Sequence, residues 1–251
     1  MKQTISIVTT LFILVSLNAF AQIKREEAVS NFVQGNLSYK EGNFKRAIEK
    51  YESIIDQWKA SGPLYYNLAN TYYREGDLAK ALLNYERAKR LIPRDSDVNF
   101  NHRYFLSKAN LFKGEIGESL LTKMIKRHIN FYSVHEMLRI ITLLTFLVGL
   151  VNLLGLYWRW PQALVRSVLA CFIFLLCIFV GGFWLKTVHE RHHAIVLKKA
   201  GAKFEPREES ITHYQLKEGD KVKILREEDS WVKIQRSDGK LGWLVKEVIE
   251  E

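Results

Sequence analysis

The 251-residue chain carries 37 Lys and Arg against 27 Asp and Glu, a formal net charge of +10, and 48% of its residues are hydrophobic. The basic residues are scattered among acidic ones, which argues against a nucleic-acid partner and leaves a basic membrane protein as the simpler account. The cysteines, Cys171 and Cys177, both lie in an apolar stretch. That placement excludes a disulfide-stapled fold and a thiol nucleophile outside the stretch.

Residues 1–21 have the pattern of a secretory signal peptide. Lys2 precedes the uncharged run Ile5 to Phe20, and Ala19-Phe20-Ala21 forms a small-x-small cleavage site. An uncleaved anchor helix is the alternative, and either reading places the adjoining segment outside the cytoplasm.

The next segment repeats itself at a step of 34. Gly35 and Ala69, Gly42 and Gly76, Ala47 and Ala81, and Tyr51 and Tyr85 stand at that interval. Tyr39-Lys40-Glu41-Gly42-Asn43-Phe44 aligns without a gap on Tyr73-Arg74-Glu75-Gly76-Asp77-Leu78. Each copy predicts a helical hairpin turning at its Gly-Asn or Gly-Asp pair, and Pro93 closes the second. The pattern resembles the tetratricopeptide repeat, with repeats at about 28–61 and 62–95. A degenerate third unit, 96–111, completes an all-α domain over 22–111; two hairpins alone leave an apolar face uncovered. The resemblance implies a concave groove for an extended peptide, lined by Asn36, Lys40, Asn67, Asn70, Arg74, Asn101 and Lys108. Asparagines can pin a peptide backbone, and the cations can hold a carboxylate. Phe32 stands where relatives that clamp a peptide C-terminus carry a Lys.

Residues 112–139 read as a linker. Within it, Glu115 to Asn130 sets Ile116, Leu120, Leu121 and Ile125 against Lys123, Lys126 and Arg127. This is either an amphipathic helix on a membrane surface or an ordinary connector. Two 19-residue apolar runs, 140–158 and 167–185, each have the length to cross a bilayer. Tyr157, Trp158, Trp160 and Trp184 stand at their ends as aromatic belts do. They predict a two-helix transmembrane hairpin with a cytoplasmic loop at 159–166. Basic residues flanking the hairpin favour the reverse orientation, but the export signal decides for both soluble parts outside.

A linker at 186–193 leads to a region of period-two alternation, 194–251, predicted to hold five short strands in a small barrel. Val222 and Ile224, Val232 and Ile234, and Leu241, Trp243 and Val245 alternate with other residues, and Ser237-Asp238-Gly239-Lys240 marks a hairpin. The runs Leu216 to Val222, Ser230 to Ile234 and Asp238 to Leu244 resemble bacterial SH3-like domains; the Phe204-Glu205-Pro206-Arg207-Glu208 loop departs from them. Phe204, Tyr214, Trp231 and Trp243 are the candidate ligand face, though Trp231 reads equally well as core.

His189, His192 and His193 have metal-compatible spacing on a helix but also read as a basic juxtamembrane turn, so no metal or cofactor is assigned. No GxSxG or Walker loop is present, and no enzyme activity is expected. The fold class is therefore a multi-domain membrane protein: an all-α repeat domain, a transmembrane hairpin and an all-β SH3-like barrel. This order of modules resembles the BatE-type proteins of the Bat aerotolerance family. The resemblance implies a bacterial inner-membrane adaptor with periplasmic modules, working in oxidative or envelope stress. Its partners would be the lipid bilayer and Bat proteins with von Willebrand A-type domains. Peptidoglycan binding through the SH3-like part is the alternative.

Overall fold

The computed structural model describes residues 22, 25–57, 61–109, 119–190 and 193–251. The expected signal segment 1–21, the end of the expected third unit and the start of the linker lie outside them.

Five helices form the N-terminal region: α1 (25–40), α2 (Phe44–Gln57), α3 (Gly62–Glu75), α4 (Leu78–Leu91) and α5 (Ser96–Lys108). The α1–α2 and α3–α4 turns rest on Gly42 and Gly76, whose φ angles of +79° and +93° suit glycine. Asp77 caps α4 by accepting the Lys80 N–H at 3.0 Å, and Asp95 caps α5 through the amides of Asp97 and Val98. Gly35 is required by packing: a Cβ there would lie 2.6 Å from the Tyr51 ring. Tyr51, Leu68, Tyr72, Leu82, Tyr85 and Phe105 fill the core. Phe105 makes α5 the cover for the second hairpin, packing against Tyr73 and Tyr85 at ring distances of 5.6 and 5.5 Å.

Helix α6 (Leu120–Phe131) comes next, with Ser119 as its cap. Two long apolar helices, α7 (Val134–Tyr157) and α8 (Gln162–Glu190), then form an antiparallel pair joined by a short turn. Both are long and apolar enough to cross a membrane, and almost all of their apolar surface is unburied. Met137 and Leu144 fill the seam, and Gly155 admits Val165 so closely that a Cβ would lie 2.9 Å from it. Each helix is longer than the apolar run that announced it. α7 starts at Val134 because Ser133 and Glu136 make a reciprocal capping box. α8 runs on past Lys186, through most of the expected 186–193 linker.

The C-terminal region is one antiparallel sheet of seven strands, where five were expected. They are β1 (His193–Val196), β2 (Ala200–Lys203), β3 (Thr212–Leu216), β4 (Lys221–Glu228), β5 (Trp231–Arg236), β6 (Leu241–Val245) and β7 (Ile249–Glu250). Their order is β3-β2-β6-β5-β4-β1-β7. All seven strands contribute to one core, including Val196, Leu216, Ile234 and Leu244, so the sheet wraps around its own inner face. The expected barrel is not closed: β3 and β7 are its edges, with no ladder between them among the described residues. On β6 the core residue is Leu244, which puts Trp243 on the opposite face.

Candidate functional site

The groove residues belong mainly to α1, α3 and α5, and the structure joins the asparagines through a network that repeats at the 34-residue step. Asn36 Oδ1 accepts from the Tyr51 hydroxyl at 2.7 Å and from Asn67 Nδ2 at 3.1 Å. One repeat later, Asn70 Oδ1 accepts from the Tyr85 hydroxyl at 2.6 Å and from Asn101 Nδ2 at 3.4 Å. Asn101 Nδ2 also donates to the Tyr66 hydroxyl at 2.5 Å. The oxygens of Asn36 and Asn70 and the amide groups of Asn67 and Asn101 are thus engaged in holding neighbouring helices in register. Burial drives the Tyr51 pKa up to about 12 and pushes Tyr85 up as well, so both hydroxyls stay protonated donors. Sequence reasoning took these tyrosines as packing and missed their hydrogen-bonding part; their offset of 15 from Asn36 and Asn70 in both repeats is the signal that pairs them.

Beside this network lies a cavity of about 250 Å³ lined by Asn36, Tyr39, Lys40, Tyr51, Asn67 and Asn70. Lys40, Arg74 and Lys108 are exposed and occupy one position in three successive units. The Arg74 guanidinium lies 5.4 Å from the Phe44 ring centre and the Lys108 ammonium 5.7 Å from that of Tyr104. Glu75, next to Arg74, contacts Lys45 of α2 at 4.0 Å. Each unit therefore presents one exposed cation at the same position.

The four residues proposed as the ligand face of the sheet do not form one surface. Trp231 and Trp243 are diagonal neighbours across β5 and β6, and both are buried. The Lys203 and Lys233 ammonium groups cover them at 5.6 and 5.8 Å from the ring centres. Tyr214 packs at the edge of the inner core beneath Arg236. Only Phe204 stands out into solvent, stacked on His213 with ring centres 4.3 Å apart. Of the three histidines with metal-compatible spacing, His193 starts β1, so one helix does not carry all three; His192 lies outside the described residues. Among the described residues no cluster of three or more His, Cys, Asp or Glu is placed to hold a metal.

The family model for the tetratricopeptide repeat matches residues 62–95, which hold α3, its turn, α4 and Pro93. A search of curated proteins finds no match.

Proposed function

We propose that this chain is a non-enzymatic, membrane-tethered adaptor whose helical groove holds an extended acidic segment of a partner protein. The observation that carries the reading is the cation row Lys40, Arg74 and Lys108, set beside an asparagine–tyrosine network that fixes the spacing of its helices. The repeat itself supports a protein-interaction scaffold. Packed helices lie about 8–10 Å apart, and a polyproline II segment advances about 9 Å per three-residue turn. Acidic side chains at every third residue of such a segment would meet one cation per repeat.

In this reading α7 and α8 anchor the chain in the bacterial inner membrane, with the repeat region and an SH3-like sheet region in the periplasm. Tethering raises the effective concentration of both near envelope partners. The module order supports a place in a Bat-type complex serving aerotolerance, with von Willebrand A-domain proteins as partners.

The test uses the full chain in nanodiscs and peptides carrying Glu at every third position, with Gln peptides as controls. The triple variant Lys40→Ala/Arg74→Ala/Lys108→Ala should bind the acidic peptide about tenfold more weakly, because three exposed ion pairs at about 0.5 kcal/mol each sum to that factor. Equal binding of Glu and Gln peptides would reject the acidic ligand. The exposed Phe204–His213 stack favours a second reading, contact with peptidoglycan, and retention on isolated cell wall that Phe204→Ala abolishes would support it.

A further inference from the structure

Helix α6 is not used by that reading, yet its surface is the most polarised of the helices outside the repeat region. Its sequence, LLTKMIKRHINF, contains three strong cations and no acid. At 3.6 residues per turn Leu120, Met124 and Phe131 fall within roughly 40° of one another. They are 81%, 70% and 49% exposed, so this stripe has little protein against it. Lys123, Lys126 and Arg127 occupy the adjoining arc.

The position of α6 says what covers the stripe. Its C-terminal end is fastened to the end of α8. The rings of His128 and Tyr132 meet Phe179 at 6.1 and 5.5 Å. The Lys186 ammonium, 4% exposed, donates to the Tyr132 carbonyl at 2.6 Å and the Ile129 carbonyl at 3.4 Å. A cation thus caps the carbonyl end of α6. Lys186 also ends the charge-free run of α8, next to exposed Trp184 and Leu185, so α6 sits at the level where that run stops. On the other side, Arg94 of the repeat region donates to the Phe131 carbonyl at 3.2 Å, pairs with Glu136 and lies over the Phe131 ring at 5.0 Å. The C-terminal end of the stripe is therefore held at the level where the charge-free run of α8 stops, and cations adjoin it.

We infer that α6 is an in-plane membrane helix: Leu120, Met124 and Phe131 enter the acyl-chain boundary, and the exposed Lys123 and Arg127 meet anionic headgroups. Through Lys186 and Arg94 it sets the height of the repeat region above the bilayer. The inference rests on α7 and α8 spanning that bilayer.

The test places a nitroxide on Met124→Cys in a full-length Cys171→Ala/Cys177→Ala background, reconstituted in vesicles of phosphatidylglycerol and phosphatidylcholine. Phe174→Cys on α8 and Ile211→Cys in the β2–β3 loop are the references. The label at 124 should collide with oxygen more than with a water-soluble nickel chelate, at a depth of about 5–10 Å, shallower than the label at 174. Omitting phosphatidylglycerol should raise its nickel access about twofold. Nickel access at 124 equal to that at 211, with 174 still in hydrocarbon, would overturn the inference and leave the spans intact. A label at 124 shielded from both reagents would overturn it in favour of a protein contact, from a second copy or a partner helix. Nickel access at 174 would overturn the spanning reading and this one together. Equal access at 124 with and without phosphatidylglycerol would overturn the role given to anionic headgroups.

Discussion

Asn70 shows how one side chain can hold two helices and one core tyrosine at once. Its oxygen receives the Tyr85 hydroxyl and the Asn101 amide, and Tyr85 is 2% exposed. Removing the acceptor leaves a buried hydroxyl without its partner, which is costlier than never having the bond. Asn70→Ala should therefore destabilise the repeat region by about 1–3 kcal/mol, while Tyr85→Phe, which removes the donor, should cost about 1 kcal/mol. Lys40→Ala should stay within about 0.5 kcal/mol, because Lys40 is exposed. Denaturant unfolding of the three full-length variants measures this order. An Asn70→Ala loss no larger than that of Lys40→Ala would mean the asparagines face a ligand rather than the fold.

At the scale of the element, two glycines of one hairpin should behave differently. A Cβ on Gly42 meets open space but needs φ near +79°, a cost of about 1 kcal/mol. A Cβ on Gly35 strikes the Tyr51 ring at 2.6 Å, and overpacking of that kind costs about 1–3 kcal/mol. Thermal melts should rank Gly35→Ala below Gly42→Ala, and the reverse order would show that α1 can shift away from Tyr51. The hairpins were legible because the turn glycine and the core tyrosine recur at the 34-residue step, with Ala69 answering Gly35. Helix ends were less so: apolar composition marks where a span is needed, whereas α7 begins where Ser133 and Glu136 satisfy its first amides. That box was readable in Ser133-Val134-His135-Glu136. The face of β6 was not readable, because Leu241, Trp243 and Val245 oppose Gly242 and Leu244, and both sets are apolar. Gly242 belongs inside because a Cβ there would lie 2.8 Å from the Ala202 methyl, a contact 40 residues away that local alternation does not encode. The shared position of Lys40, Arg74 and Lys108 was legible from the repeat step; the engagement of the asparagines was not, since it depends on helices meeting across repeats.

Across the whole molecule, the sheet region docks on α4. Ile195 of β1 enters the helical core, with Leu197 beside it. Arg87 pairs with Glu250 at 2.8 Å and donates to the Glu251 carbonyl at 2.6 Å. Glu86 lies between His102 of α5 at 3.4 Å and Lys221 of β4 at 3.5 Å. Burial works against the charge of Glu86, but the His102 contact and the Lys221 and Lys89 charges outweigh it and hold its pKa well below the usual carboxylate range. The charged carboxylate is therefore favoured by the folded state. Its contribution is complete above the ordinary value of 4.5 and is lost as pH falls below that value toward the depressed one. Glu86→Gln has no proton to take up there. Between pH 5 and about 3 the wild-type melting temperature should fall faster than that of Glu86→Gln, with Arg87→Ala falling in parallel with the wild type from a lower start. Parallel curves for wild type and Glu86→Gln would show that the carboxylate does not secure the sheet region to α4, and that the apolar seat of Ile195 carries the junction.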